Sequence, residues 1–174
     1  AQNHQPETEG SWEVRKEVAK KVYFSWLPIE EGTQGGVRRK FSFGDFAELF
    51  MLDGRLEGRS PQAESPEDSA RFLSERSMLG KAQTQWLIDG LTQSKAHWKL
   101  VGNQVIFSSY RLPPKLEETN PKSMDMWEGY PVERDFIADT LQTSGVSGLL
   151  VLTGDVHASF AFELRSHLDS AQTA

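Results

Sequence analysis

Gly148-Leu149-Leu150-Val151-Leu152-Thr153-Gly154-Asp155-Val156-His157 is the stretch on which the fold turns. Leu149 to Leu152 form the most apolar strand candidate in the chain, and the run ends on a glycine followed by an acid and an imidazole. In layered α/β folds the chemistry gathers on loops that leave the C-terminal ends of strands. Gly154 permits a sharp turn there, so that the Asp155 carboxylate and the His157 imidazole reach one divalent or trivalent ion. The bland alternative stands beside it: Asp155 caps a turn and His157 is a hydrogen-bonded wall residue. A structure with the two side chains within about 5 Å of each other would favour the shared ion.

Downstream, Phe160-Ala161-Phe162-Glu163-Leu164 reads as a neighbouring strand, and residues 166–174 as a tail. Upstream, Pro131 to Leu141 is a helix with proline in its first turn. Trp98-Lys99-Leu100-Val101 and Val105-Ile106-Phe107 read as one strand interrupted by Gly102-Asn103-Gln104. A helix from about Gly80 to Leu91 buries Trp86, Leu87 and Leu91. Phe46 to Leu52 is a short apolar run fit for a buried strand, paired as a hairpin with the alternating Val37 to Phe43. Near the start, Val14, Val18 and Val22 stripe a helix that opens at Ser11 and stops at Pro28. Residues 1–10, 54–76 and 108–130 read as loops, the last two long enough to be functional. Strands alternating with helices make this an α/β layered domain.

Two further clusters follow strands. Asp53 and Arg55 suit a metal ligand or base and a phosphate clamp, or else a plain turn with an exposed salt bridge. Asn103 and Gln104 carry amide oxygens acceptable to hard cations, but asparagine after glycine is also ordinary turn chemistry. Trp127-Glu128-Gly129-Tyr130 with Arg134 sits at a loop-to-helix junction, where aromatics line a substrate cleft or, more often, anchor the loop to the core. If Asp53, Asn103 and the Gly154 turn serve one site, they must lie on the same sheet edge.

Composition narrows the classes. The 174 residues are 37% hydrophobic and 25% charged, enough for a packed core in one domain. A net charge of −6 argues against a nucleic-acid-coating surface. The absence of cysteine excludes disulfide scaffolds, thiolate metal sites and thiol nucleophiles. No apolar run is long enough to cross a membrane, and the N-terminus carries no signal peptide and no initiator Met, so the chain reads as a processed product or a fragment. Walker, dinucleotide-binding, His-Glu-x-x-His and nucleophile-elbow motifs are missing.

The clusters, taken in order, carry a resemblance. The sequence resembles the alkaline phosphatase D family, the PhoD-like phosphodiesterases and phosphatases of the metallophosphoesterase superfamily. Its landmarks run from Asn3-His4-Gln5-Pro6-Glu7-Thr8-Glu9-Gly10 through Tyr23-Phe24-Ser25-Trp26-Leu27-Pro28 and Met51-Leu52-Asp53-Gly54-Arg55. They continue with Gly102-Asn103-Gln104-Val105, Trp127-Glu128-Gly129-Tyr130-Pro131 and Leu152-Thr153-Gly154-Asp155-Val156-His157. The resemblance implies a sandwich of two mixed β-sheets flanked by helices, with metals between strand ends. It implies hydrolysis of small phosphate mono- and diesters in the periplasm or outside the cell, with Ca2+ and Fe3+. A metal-bound hydroxide would attack phosphorus while the metals and Arg55 stabilise the equatorial oxygens.

On this reading Asp155, His157 and Arg55 are catalytic, Asp155, His157, Asn103 and Asp53 hold metal, and Arg55, Gln104, Trp127, Tyr130 and Arg134 bind substrate. The family's early ligands, including an Asp-His-Glu segment, have no counterpart here. That shortage implies only the second part of the fold, one sheet face left uncovered, and little activity for the chain alone. The alternatives are a non-catalytic partial domain with one weak half-site and, more distantly, a carbohydrate- or protein-binding domain using its Trp-rich loops.

Overall fold

The computed structural model describes residues 4–32, 36–110, 123–155 and 158–164. A one-turn helix, α1 (Pro6–Glu9), occupies what the sequence suggested was loop, with Pro6 in its first turn and Gly10 at φ 75° ending it. Helix α2 (Trp12–Trp26) follows and stops at Leu27, whose extended backbone is what a following proline demands. Its expected valine stripe finds no cover among the described residues: α2 buries nothing, and Val14, Val18 and Val22 are exposed.

Strands β1 (Arg39–Phe43) and β2 (Ala47–Met51) form the antiparallel hairpin, turning through Gly44 at φ 57°. Helix α3 (Lys81–Gln93) crosses from β2 to β3 (Trp98–Asn103), and helix α4 (Pro131–Thr143) from β3 to β4 (Leu149–Thr153). The result is a mixed sheet in the order β1-β2-β3-β4, with β2, β3 and β4 parallel. Helical crossovers are what parallel neighbours require.

The strand period of two sorts the side chains. Phe50, Val101 and Val151 lie in register on one face and pack with Leu87 and Leu91 of α3 and Ile137 and Leu141 of α4. Burying each large side chain there contributes about 1.5–3 kcal/mol. On the other face Phe41, Leu49, Leu100 and Leu150 line up in register, and the two outer members are 44% and 46% exposed. Leu152 beside them is 53% exposed. The sheet is therefore covered by helices on one side and bare on the other among the described residues.

Several expectations are corrected. β3 does not break at Gly102 but runs on to Asn103, and Val105, Ile106 and Phe107 are buried beyond its end without continuing it. Residues 160–164 form no strand; Phe160 and Phe162 stack on each other instead, with ring centroids 5.6 Å apart. Without that neighbour, the most apolar strand, β4, is an edge strand among the described residues. The 54–76 and 108–130 loops each contain a short 3-10 turn, Ser69–Phe72 and Trp127–Gly129. Residues 111–122 of the second loop, His157 and the tail from 165 onward lie outside the described residues.

Candidate functional site at the strand ends

Parallel pairing brings three C-terminal strand ends to one edge. Met51, Gly102 and Leu152 are in register, and Asn103 pairs with Thr153, so Asp53, Gln104 and Asp155 leave the sheet side by side. Leu52 N–H donates to the Gly102 carbonyl at 3.0 Å, extending the pairing to the lip of the site.

Two glutamines lock the first loop. Gln83, wholly buried on α3, accepts from Asp53 N–H at 2.8 Å and donates to the Asp53 carbonyl at 3.0 Å. Gln104 accepts from Gly54 N–H at 3.0 Å and donates to the Leu52 carbonyl at 2.5 Å. Each amide pairs main-chain groups that would otherwise be orphaned by burial. Asp53 is 4% exposed, and its Oδ1 accepts from the N–H groups of Arg55 and Leu56 at 2.9 and 2.8 Å. The turn reading is the one the geometry realises, except that the salt bridge of Arg55 goes elsewhere.

The Arg55 guanidinium reaches two other acids. It pairs with the Asp125 carboxylate through Nη1 and with Asp155 Oδ2 through Nη2 at 3.4 Å. Arg59 shares Asp125, donating to its Oδ1 at 2.7 Å and its carbonyl at 3.0 Å, and to the Gly54 carbonyl at 2.6 Å. Arg59 lies over the Tyr130 ring, 5.2 Å from its centroid. Asp155 itself is exposed and sits at φ 71°, a left-handed conformation that aspartate tolerates better than most residues. A cleft of about 890 Å³ opens beside this cluster between α2 and the loop, lined by Trp12, Lys16, Arg55, Arg59 and Asp125.

The remaining predicted residues are placed otherwise. Asn103 is buried, donates to the Val105 carbonyl at 2.5 Å and faces the Trp127 indole N–H at 3.4 Å, so its amide is spent on the core. Trp127 is fully buried against Phe107, and Tyr130 is 1% exposed with its hydroxyl donating to the Ser60 carbonyl at 2.8 Å. These aromatics anchor the loop rather than line a cleft. Burial raises the Tyr130 phenol pKa above its ordinary value, against the nearby Arg59 and Arg76. Arg134 pairs with Asp135 at 2.9 Å and Glu128 at 3.7 Å, in a different hollow that it shares with Arg71 and Ser109. It joins neither Arg55 nor Asp155.

Asp125 and Arg59 escaped the sequence reading. The Asp125–Arg55 pair spans 70 positions, and no local pattern announces such a pair. Among the described residues no three of His, Cys, Asp and Glu gather to hold a metal ion. Asp155 has the chemistry of a hard-cation ligand, but Asp53 and Asn103 are turned to the backbone and core. The described donors therefore do not make up a metal centre.

A family model of PhoD-like phosphatases matches residues 1–174. Alkaline phosphatase D of Bacillus subtilis (strain 168) is 32% identical over 171 residues, covering 92% of this chain. The solved structure of PhoD superposes with a TM-score of 0.72 at 31% identity over 82% of the chain. In both cases the chain spans 28% of the relative's own length.

Proposed function

The chain belongs to the PhoD-like phosphatase family, and from that premise we propose that its strand-end cluster serves the metal-dependent hydrolysis of small phosphate mono- and diesters. Phosphoester hydrolysis is the family-level activity; the residue roles, the metals and the substrate class are this proposal. The observation that carries it is Arg55 held beside Asp155 at the C-terminal edge of three parallel strands. A guanidinium fixed there presents paired N–H donors to the non-bridging oxygens of a phosphate. Those donors strengthen as charge accumulates on the oxygens in the transition state.

The resemblance implies iron and calcium, ions that supply Lewis acidity and an activated water when bound. Asp155 and His157 are the two donors this chain would offer them, His157 lying outside the described residues. Further ligands must come from residues beyond those described. Trp127, Tyr130 and Arg134 drop out as substrate contacts, and Asp53, Gln83 and Gln104 act by fixing the loop that carries Arg55. A periplasmic or extracellular setting accords with the same resemblance; no helix among the described residues is long and apolar enough to cross a membrane.

A second reading, a non-catalytic domain with one weak half-site, draws on the lone exposed carboxylate of Asp155. One assay separates the two. The 174-residue chain and its Arg55→Ala and His157→Ala variants are incubated with an aryl phosphate monoester and diester, in calcium plus iron, in other divalent ions and in chelator. We expect slight turnover, lowered a further 10²–10³-fold (roughly) by Arg55→Ala and abolished by chelator. Turnover indifferent to Arg55→Ala sinks the role of Arg55. Vigorous turnover lost in His157→Ala shows a complete site within these residues and overturns the argument from missing donors.

A further inference from the structure

The Arg55 guanidinium would not stay at the strand ends by itself. Its side chain is 40% exposed, and Asp155, the acid on its far side, is 62% exposed. An exposed pair of this kind contributes little and would not hold a long side chain in one place. What distinguishes the arrangement is Asp125. One of its carboxylate oxygens takes Arg55 and the other takes Arg59. Arg59 is only 12% exposed, bonded twice to main-chain carbonyls and laid on the Tyr130 ring. Asp125 is thus tied to a fixed cation, and through it Arg55 is tied to the core.

We propose that Asp125 is the positioning residue of this site: clamped by Arg59, it aims the Arg55 guanidinium across the strand ends so that an anionic phosphate oxygen meets paired donors already in place. Asp125 touches no substrate and acts through Arg55. The role rests on the reading of Arg55 as the phosphate-binding group. Pre-organised donors lose less side-chain entropy on binding than free ones, and Asp125 supplies that ordering. Arg59 also shares the charge of the Asp125 carboxylate, which leaves Asp155 as the other acid facing Arg55.

The test uses the 174-residue chain with inorganic phosphate as probe and has two readouts. The first is Nη NMR of Arg55: restrained rotation gives separate Nη signals, and a free guanidinium gives averaged ones. The second is phosphate affinity in a double-mutant cycle of Asp125→Asn and Arg55→Ala. We expect separate Arg55 signals in the wild type, averaged signals in Asp125→Asn, and recovery in Asp125→Glu. Phosphate affinity should fall about tenfold in Asp125→Asn, and Asp125→Asn should add nothing once Arg55 is alanine. A purely structural role would add its full effect in the Arg55→Ala background. Averaged signals in the wild type, or unchanged signals in both Asp125 variants, overturn the proposal. A wild type that binds no phosphate but loses its separate Arg55 signals in Asp125→Asn upholds the positioning and sinks the phosphoesterase reading instead. Should Asp125→Asn fail to fold, Arg59→Gln loosens the same clamp from its other side, and Arg55 signals that stay separate in that variant overturn the proposal.

Discussion

Asp53 and Asp125 both lie near Arg55, yet they spend their carboxylates in opposite ways. Asp53 is buried and satisfies two main-chain N–H groups; Asp125 is half-exposed and satisfies two guanidiniums. Glu133 is a third solution, a buried carboxylate held by neutral donors. Its Oε1 accepts from the Thr84 and Ser77 hydroxyls at 2.6 and 2.5 Å, and its Oε2 from Met78 N–H at 2.5 Å. Glu133→Ala leaves those donors buried and unpaired, at about 1–3 kcal/mol per orphaned group. We expect urea unfolding to show a loss of roughly 2–4 kcal/mol, and a loss within about 0.5 kcal/mol would show that water reaches the turn. Tyr130 gives a pH prediction. Its folded pKa is raised by burial, so the folded chain holds the phenolic proton more tightly than the unfolded one. That contribution is full below the free phenol value near 10 and is lost as pH climbs through the folded value. Tyr130→Phe should therefore flatten the alkaline fall in stability, while lowering stability at neutral pH by about 1 kcal/mol through the lost bond to Ser60. An unchanged alkaline slope would contradict the burial argument.

Between elements, close approach sets the limits. A Cβ on Gly90 of α3 would stand 2.4 Å from Phe50 Cε1 on β2, so the helix lies against the sheet only because that residue has no side chain. Alanine is the better helix former by about 1 kcal/mol, but overpacking a core costs typically 1–3 kcal/mol. Gly90→Ala should lower the melting temperature, and Gly90→Ala paired with Phe50→Leu should recover part of the loss. A rise in melting temperature with Gly90→Ala alone would mean that Phe50 yields freely. The sequence showed this element order well, because each strand and helix carries its own period: α3, α4 and the β1–β2 hairpin fall within a few residues of their expected limits. It showed the parallel strand ends too, since Asp53, Asn103 and Asp155 each close an apolar run. What it could not show is where a side chain points after the strand stops. Asn103 turns into the core toward Trp127, and Arg55 finds an acid far along the chain. Residues 160–164 show the opposite failure, an alternating apolar pattern that forms no strand.

At the scale of the whole molecule, two surfaces stay unpaired among the described residues. One face of the sheet shows Phe41, Leu150 and Leu152 to solvent, and β4 presents an unpaired backbone edge among the described residues. α2 adds Val14 at 64% and Trp26 at 83% exposure. Against association stands a net charge of −6, which salt screens within about 8–10 Å. For association, shielding even ~300 Å² of apolar surface is worth about 7 kcal/mol before the cost of immobilisation. That gain is of the same order as the roughly 4–15 kcal/mol of immobilisation, so self-association should be weak and set by protein concentration. The 174-residue chain in isolation should bind a hydrophobic dye and should sediment with a mass that rises with concentration. Leu150→Lys with Leu152→Lys, both on the uncovered face, should restore a monomer and reduce dye binding. The helix-side core formed by Phe50, Val101, Leu87 and Ile137 is untouched by these changes, so the unfolding midpoint should move little. A wild-type chain that stays monomeric and binds no dye would mean that other residues of the chain cover this face. The double substitution would then unfold the protein instead of dissociating it.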